Sequence, residues 1–381
     1  MRARLARHLR VSFSDWGLVL ALVPLLLAGL VTMQAFTGPS YYFSRQLAFS
    51  AVGLLVFFGA SLVDWRFLKQ SLGLFVVYLF GLFLLVGVVL VGHTTHGAQS
   101  WFSIQGVSFQ PSDLMKLILI LVLAKYFSRR HVEIAHIRHI IVSGLYTVAP
   151  FVLIMLEPDL GSGMILFAIW LGMIIASGVS KKHLALVAAV GVFSCALLWM
   201  FAFAPYKKAR IMNFLEPLRD TKGTGYNALQ AQIAVGSGQI VGKGIGYGTQ
   251  SRLKFLPEYQ TDFIFAAFTE EWGMIGALII FVLYGFVIAW LLGSAMHGAS
   301  NFEAFFAIGV ALFLISHIVI NIGMNMGLLP VTGITLPFLS YGGSHLVVEF
   351  LALGMVMGMR RYARPAQRPK DETELVGLIG A

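Results

Sequence analysis

The sequence predicts an all-α integral membrane protein, a single polytopic domain over residues 1–381 with about ten transmembrane helices and both termini in the cytoplasm. Three observations predict it. Hydrophobic residues make up 58% of the chain and charged ones 12%, against the roughly 25% with which a soluble chain covers its surface. The apolar residues arrive in long blocks rather than at amphipathic spacing, and mean hydropathy is +0.83. Lys and Arg concentrate in alternate connections, which is the charge bias that orients membrane helices. The lone Cys195 rules out an intrachain disulfide.

The apolar stretches run near 16–36, 47–63, 72–92, 113–127 and 140–156, then 162–176, 184–204, 263–293, 305–324 and 346–359. The first has a basic N-terminal flank but is too long for a signal-peptide core, so it is expected to stay in the membrane. The eighth is long enough to tilt or to project from the bilayer. Internal repeats are not evident, which disfavours the transporter folds built from them.

Orientation follows from the short connections. Arg2, Arg4, Arg7 and Arg10 precede the first span; Arg66 and Lys69 follow the second, Lys125, Arg129 and Arg130 the fourth, Lys181 and Lys182 the sixth. Arg360, Arg361, Arg364, Arg368 and Lys370 follow the last, so residues 1–15 and 360–381 are expected in the cytoplasm. Connections 93–112, 157–161 and 325–344 contain no Lys or Arg. Much of the +10 net charge thus lies on flanks that meet anionic lipid of the cytoplasmic membrane, and no nucleic-acid partner is expected.

The large connection 205–262 is outside by parity, yet it carries Lys207, Lys208, Arg210, Arg219, Lys222, Lys243, Arg252 and Lys254 against Glu216, Asp220 and Glu258. Long loops translocate largely regardless of charge, which is one account of this. The other is an outer cationic surface that holds a polyanion such as a lipid pyrophosphate.

Ionisable groups inside spans cost roughly 2.5–3.5 kcal/mol each on insertion scales, so each is a functional candidate. Asp113 and Lys116 share a helix face and can pair, structurally or around a substrate. Glu270 and Glu271 lie ~12 Å deeper than Asp262 along the eighth span and face different directions. Asn321, Asn325 and His317 suit interhelical hydrogen bonding, and His345 can reach Glu349 four residues on. Three Gly/Pro-rich segments meet the same outer face: 97–113, 157–161 and 321–344. Irregular backbone near membrane depth is tolerated where it lines a wet cavity, so a polar cavity open to the outside is expected.

The run from Gly327 to Ser344, with its Pro330, Gly333, Pro337 and Tyr341-Gly-Gly-Ser344, resembles the signature of the shape, elongation, division and sporulation (SEDS) family. So do Ile233–Gly238 with Gly242-Lys-Gly244, Gly248-Thr-Gln-Ser251 leading into Phe255-Leu-Pro-Glu258, and Thr261-Asp-Phe263. Glu157-Pro-Asp-Leu-Gly161 and Gln110-Pro-Ser-Asp113 complete the pattern, over about residues 15–361. The Gly-Thr-Gln-Ser and Phe-Leu-Pro-Glu spellings are closer to the rod-elongation branch than to the division branch.

The resemblance implies a peptidoglycan glycosyltransferase that polymerises lipid II at the outer face of the cytoplasmic membrane, partnered by a class B penicillin-binding protein. It places the family's essential acid at Asp262 and the acid of its Pro-Asp-Leu-Gly motif at Asp159. Two positions depart from the pattern: Asp113 stands where Glu is common, and Ser100 where Arg is common. On this reading Asp262 is the general base, undecaprenyl pyrophosphate leaves, and the transition state is oxocarbenium-like. Lys116, Arg210, Lys243, Arg252 and Lys254 are candidate phosphate ligands, with Asp113, Asp159, Glu258 and Ser344 as further substrate contacts. A divalent cation, Mg²⁺ or Mn²⁺, held by Asp262 or Asp159 is an alternative neutraliser.

Each candidate has a plainer alternative. Asp262 and Asp159 both stand where helix N-caps belong. Arg252 and Lys254 alternate with apolar residues, as the solvated face of an extended segment would. A lipid II flippase, with Glu270 or His317 on the transit path, and a scaffold that only activates its partner are the rival functions.

Overall fold

The computed structural model describes residues 13–37, 41–69, 72–95, 98–104, 107–130, 137–197, 199–200, 205–216, 223–253 and 255–363. Each of the ten apolar stretches forms a helix. In chain order these are α1 (Phe13–Thr37), α2 (Tyr41–Ser61), α3 (Gly73–Val91), α4 (Pro111–Arg130), α5 (Ile137–Leu156), α6 (Leu160–Ala176) and α7 (Lys181–Leu197). Three helices in the large connection follow: α8 (Pro205–Leu215), α9 (Thr224–Ser237) and the single turn α10 (Thr249–Arg252). The bundle closes with α11 (Ile264–Met296), α12 (Asn301–Asn325) and α13 (Gly343–Tyr362). Among the described residues, α1, α2, α3, α5, α11 and α12 are long and apolar enough to cross a membrane on length and composition.

Two features differ from the expectation. Residues that favour strands, among them Trp101, Phe102, Ile104, Val107 and Phe109, break the all-helical pattern between α3 and α4. They form a three-stranded antiparallel sheet of β1 (His93–Thr95), β2 (Ala98–Ile104) and β3 (Val107–Phe109), with Trp101 opposite His93 and Phe102 opposite Phe109. Arg252 ends the helical turn α10 rather than lying on an extended segment, and Lys254 is outside the described residues.

The centre of the bundle is α12, 72% of whose apolar window is buried, against 28% in α3. A helix apolar all round is buried in protein on one side and in lipid on the other. α3 shows the second case: Leu79, Phe80, Phe83 and Leu90 are exposed, which suits a lipid face, while Tyr78, Leu85 and Val88 turn inward. α2 and α13 lie side by side, with Phe57 edge-on to Phe350 at 6.3 Å. At one end of the bundle the starts of α2, α4, α6, α11 and α13 come together with the sheet and residues 326–342, and this end carries most of the candidate chemistry.

Candidate active site

Asp262 sits in the turn just before α11. The helix N-cap falls one residue later, on Phe263, which has no side chain able to cap. The capping role is filled from α12: Asn325 Oδ1 accepts from the Ala266 amide at 3.1 Å. The Asp262 carbonyl in turn accepts from Asn321 Nδ2 at 2.9 Å and Asn325 Nδ2 at 3.0 Å. Asn321 also donates to the Ile334 carbonyl at 2.6 Å, so one buried asparagine ties Asp262 to the irregular segment before α13. That segment meets the same turn twice more, through Ser340 Oγ to Thr261 O (2.6 Å) and Tyr341 N to Gln260 O (2.8 Å).

Gly333 takes a positive φ of 76°, and a methyl group there would lie 3.6 Å from Asp262 Oδ2. Glycine supplies the backbone conformation this close approach to the carboxylate uses. Asp262 is half-buried in this setting.

Asp159 behaves as the plainer alternative has it. It is the N-cap of α6, accepting from Ser162 N at 2.9 Å, and its other oxygen accepts from Gln110 Nε2 at 3.0 Å. Ser344 Oγ accepts from the Gln110 amide at 3.3 Å, and Ser112 and Ser162 are in contact at 3.4 Å. Asp159, Gln110 and Ser344 therefore join the three Gly/Pro-rich segments to one another. The turn before Asp262 holds Glu258 at a positive φ of 52°, where its carbonyl accepts from the amides of Thr261 and Phe263.

Asp113 and Lys116 form a buried pair at 2.9 Å, both under 3% exposed. His345 extends it, with Nδ1 3.2 Å from Asp113 Oδ1 and Nε2 2.8 Å from Glu349 Oε1. These two contacts are ionic in distance but fall off the hydrogen-bond direction. Glu349 Oε2 accepts from the Phe338 amide at 3.1 Å, where Phe338 holds a positive φ of 61°. The pair thus braces the start of α4 against α13.

A family model described as cell cycle protein, FtsW/RodA/SpoVE, matches residues 9–365. The chain belongs to that family. It is 36% identical over 288 residues to the peptidoglycan glycosyltransferase MrdB of Escherichia coli K12, covering 76% of this chain and 78% of MrdB. Its fold is similar to the rod shape determining protein RodA of Thermus thermophilus, with 28% identity, a TM-score of 0.70, and 92% of this chain and 98% of that one covered. It is also similar to a chain from a peptidoglycan synthase complex described as coordinating polymerization and crosslinking, at 31% identity and a TM-score of 0.77, covering 92% and 99%.

For a member of the FtsW/RodA/SpoVE family, the candidate cations are distributed unevenly. Lys116 is committed to Asp113. Lys243 Nζ lies 2.7 Å from the fully buried Glu270 and 2.8 Å from Thr249 Oγ1. Arg252 is exposed on α10, Arg210 lies on α8 with its side chain outside the description, and Lys254 is outside it altogether.

At the outer end Gln110, Asp159 and Ser344 pack their polar groups on one another. A small cavity lies at the far end of α11, lined by Ser294, Gly298, Glu303 and Arg360. No three His, Cys, Asp or Glu side chains gather as a metal site among the described residues. Asp159 has both oxygens engaged, by Gln110 and Ser162, so it does not fit a cation.

Sequence reasoning treated the asparagines only as generic glue and passed over Gln46 and Arg45. Gln46 is buried and bridges α2 to the segment before α13, donating to Ser340 O at 2.9 Å and accepting from Gly342 N at 3.4 Å. A polar Arg-Gln step at the mouth of an apolar stretch was the available signal.

Proposed function

We propose that this protein is a peptidoglycan glycosyltransferase of the elongation branch, polymerising lipid II at the outer face of the bacterial cytoplasmic membrane. The observation that carries it is the setting of Asp262: its carbonyl is gripped by Asn321 and Asn325, its helix is capped by another residue, and Gly333 abuts its half-buried carboxylate. The names of MrdB and RodA support the same activity, and the motif spellings at 248–258 support the branch. Ten spans with cytoplasmic termini belong to this proposal, supported by the charge bias and by the ten apolar helices.

The Asp262 carboxylate takes the proton of the acceptor sugar hydroxyl as that oxygen bonds to the anomeric carbon of the donor. The bond from that carbon to the lipid pyrophosphate breaks, and the pyrophosphate leaves with the electron pair. This leaving group is already acidic, so no second carboxylic acid is needed. Arg210, Arg252 and Lys254 are proposed to stabilise its charge, while Lys116 and Lys243 act through the carboxylates they hold. Asp113, Asp159, Glu258 and Ser344 shape the surround. A divalent cation, where one takes part, is proposed to arrive on the substrate phosphates, and chelation tests it.

A class B penicillin-binding protein is the proposed partner, which the similarity to a chain of a peptidoglycan synthase complex supports. Transport is disfavoured by Glu270: its carboxylate accepts from Lys243, Thr249, the Gln250 amide and Ser251, leaving no relay site.

The test is polymerisation of labelled lipid II by the purified protein with its partner. Native protein is expected to make glycan strands, and a folded Asp262→Asn variant to make none. Equal strands from both would remove Asp262 as the base. No strands from either, with lipid II still crossing proteoliposome bilayers, would establish the transporter instead.

A further inference from the structure

We propose that Arg45 binds the pyrophosphate of the lipid-linked substrate, at a rim built with Tyr41, Tyr42 and Tyr341; this rests on the polymerase reading above. The Arg45 guanidinium stands 4.2 Å over the Tyr41 ring and is within hydrogen-bonding reach of the Tyr341 hydroxyl. Tyr42 is edge-on to Tyr341 at 5.0 Å and to Tyr41 at 5.5 Å. Three rings and one cation therefore form a single cluster.

That cluster is fixed to the turn carrying the candidate base. Tyr341 N donates to Gln260 O, two residues from Asp262, and the adjacent Ser340 donates to Thr261 O. From the other side Gln46 clamps α2 to Ser340 and Gly342. Residue 45 is one helical step, about 100°, round from the buried Gln46, which turns Arg45 toward the part-exposed rim. Glu258 is the acidic neighbour, within electrostatic reach of Tyr42.

Charge distribution points the same way. In the proposed orientation the short outer connections 93–112, 157–161 and 325–344 hold no Lys or Arg, and 37–46 holds Arg45 alone. A cation kept at an outer helix end against the orienting bias has a reason to be there. Guanidinium is well matched to a pyrophosphate. Its planar fork pairs two phosphate oxygens at once, and ring contacts that preset its direction reduce the entropy lost on binding. Through Tyr341, Arg45 sits on the same scaffold as the Asp262 turn.

The experiment measures polymerisation rate against lipid II concentration in neutral detergent micelles, with partner, for native protein, Arg45→Gln, Arg45→Lys and Tyr341→Phe. Farnesyl pyrophosphate and farnesyl monophosphate are added as competitors, and their binding is also read by thermal shift. Arg45→Gln is expected to lower kcat/KM about tenfold or more and to weaken farnesyl pyrophosphate binding by a similar factor. The monophosphate should lose less, Arg45→Lys should recover part of the loss, and Tyr341→Phe should show a smaller defect of the same kind.

Unchanged farnesyl pyrophosphate binding in a folded Arg45→Gln overturns the proposal, whether or not activity falls, because a purely structural role would spare the competitor. A defect confined to phosphatidylglycerol bilayers and absent in neutral micelles also overturns it, since Arg45 would then hold bulk lipid phosphate. Failure of the polymerase reading is distinguishable. It would show as native protein making no strands, while the thermal shift still reports on Arg45.

Discussion

Glu157 is fully buried in the turn between α5 and α6, and neither oxygen of its carboxyl has a hydrogen-bond partner. Burial, and then the nearby Asp159 charge, push its pKa up to about 8. A carboxyl with a folded pKa above its unfolded one binds a proton in the fold that it loses on unfolding, so stability falls as pH rises between the two values. The window here runs from about 4.5 to about 8, with no further loss above it. Thermal unfolding of native protein and Glu157→Gln in detergent, from pH 5 to pH 9, checks this. The variant is expected to melt higher at pH 8 and to lose the part of the pH slope that belongs to Glu157, up to about 1.4 kcal/mol per pH unit. Parallel slopes in the two proteins would show that residue 157 keeps its charge. Two other acids at this end, Asp159 and Asp262, share one pair of readings in the sequence, cap or chemistry. Only the fold separates them, because the amide that decides the case for Asp262, that of Ala266, is satisfied by Asn325, 59 residues away.

The segment between α9 and α10 is bound to the middle of α11 rather than standing free outside. Lys243 N donates to Glu270 O, Gly244 N to Glu271 O, Met274 N to Gln239 O and Ile275 N to Ile240 O. These α11 residues lie roughly 9–17 Å along from its first residue, taking about 1.5 Å per residue. Gly273 makes this possible by leaving helical conformation at φ 66°, ψ −165°, which frees backbone groups for the segment. Glu270 completes the fastening from a fully buried position. Removing Lys243 leaves that carboxylate without its cation, so Lys243→Met is expected to cost ~2–3 kcal/mol, below the 3–5 of fully buried pairs because Lys243 is part-exposed. Glu270→Gln should cost a comparable amount, and the double variant should cost much less than the sum, as coupled neighbours do. Additive losses in denaturant or thermal unfolding would show the two are independent. The ten helices were legible because each apolar block is long enough to declare itself, and Asp113–Lys116 because the pair is local. The kink was not, since a single glycine such as Gly273 inside a helical pattern does not by itself declare a break, and neither was the Lys243–Glu270 bond, which spans 27 residues. Gln46 and Ser340 are farther apart still, 294 residues, and no local pattern specifies such a pairing.

At the scale of the whole molecule, the proposed function requires the Asp262 end to face outward and the basic connections to face inward. The two ends are chemically distinct. Asp262, Asp159, Asp113 and Tyr341 share one end; at the other, Arg66 follows α2, Lys181 and Lys182 open α7, and Arg360 and Arg361 lie in the last turn of α13. Short connections rich in Lys and Arg tend to be retained in the cytoplasm, and the proposed orientation follows for the whole bundle at once, since alternate helices cannot reverse independently. Single cysteines test this in a Cys195→Ser background. Ser108 on β3 and Ala299 between α11 and α12 are both exposed and lie at opposite ends. A membrane-impermeant maleimide applied to intact spheroplasts is expected to label Ser108→Cys directly and Ala299→Cys only after permeabilisation. The reverse pattern would place Asp262 on the cytoplasmic side. A base there would act where lipid-linked precursors are made rather than where strands are joined, and the polymerase reading would fall with the orientation.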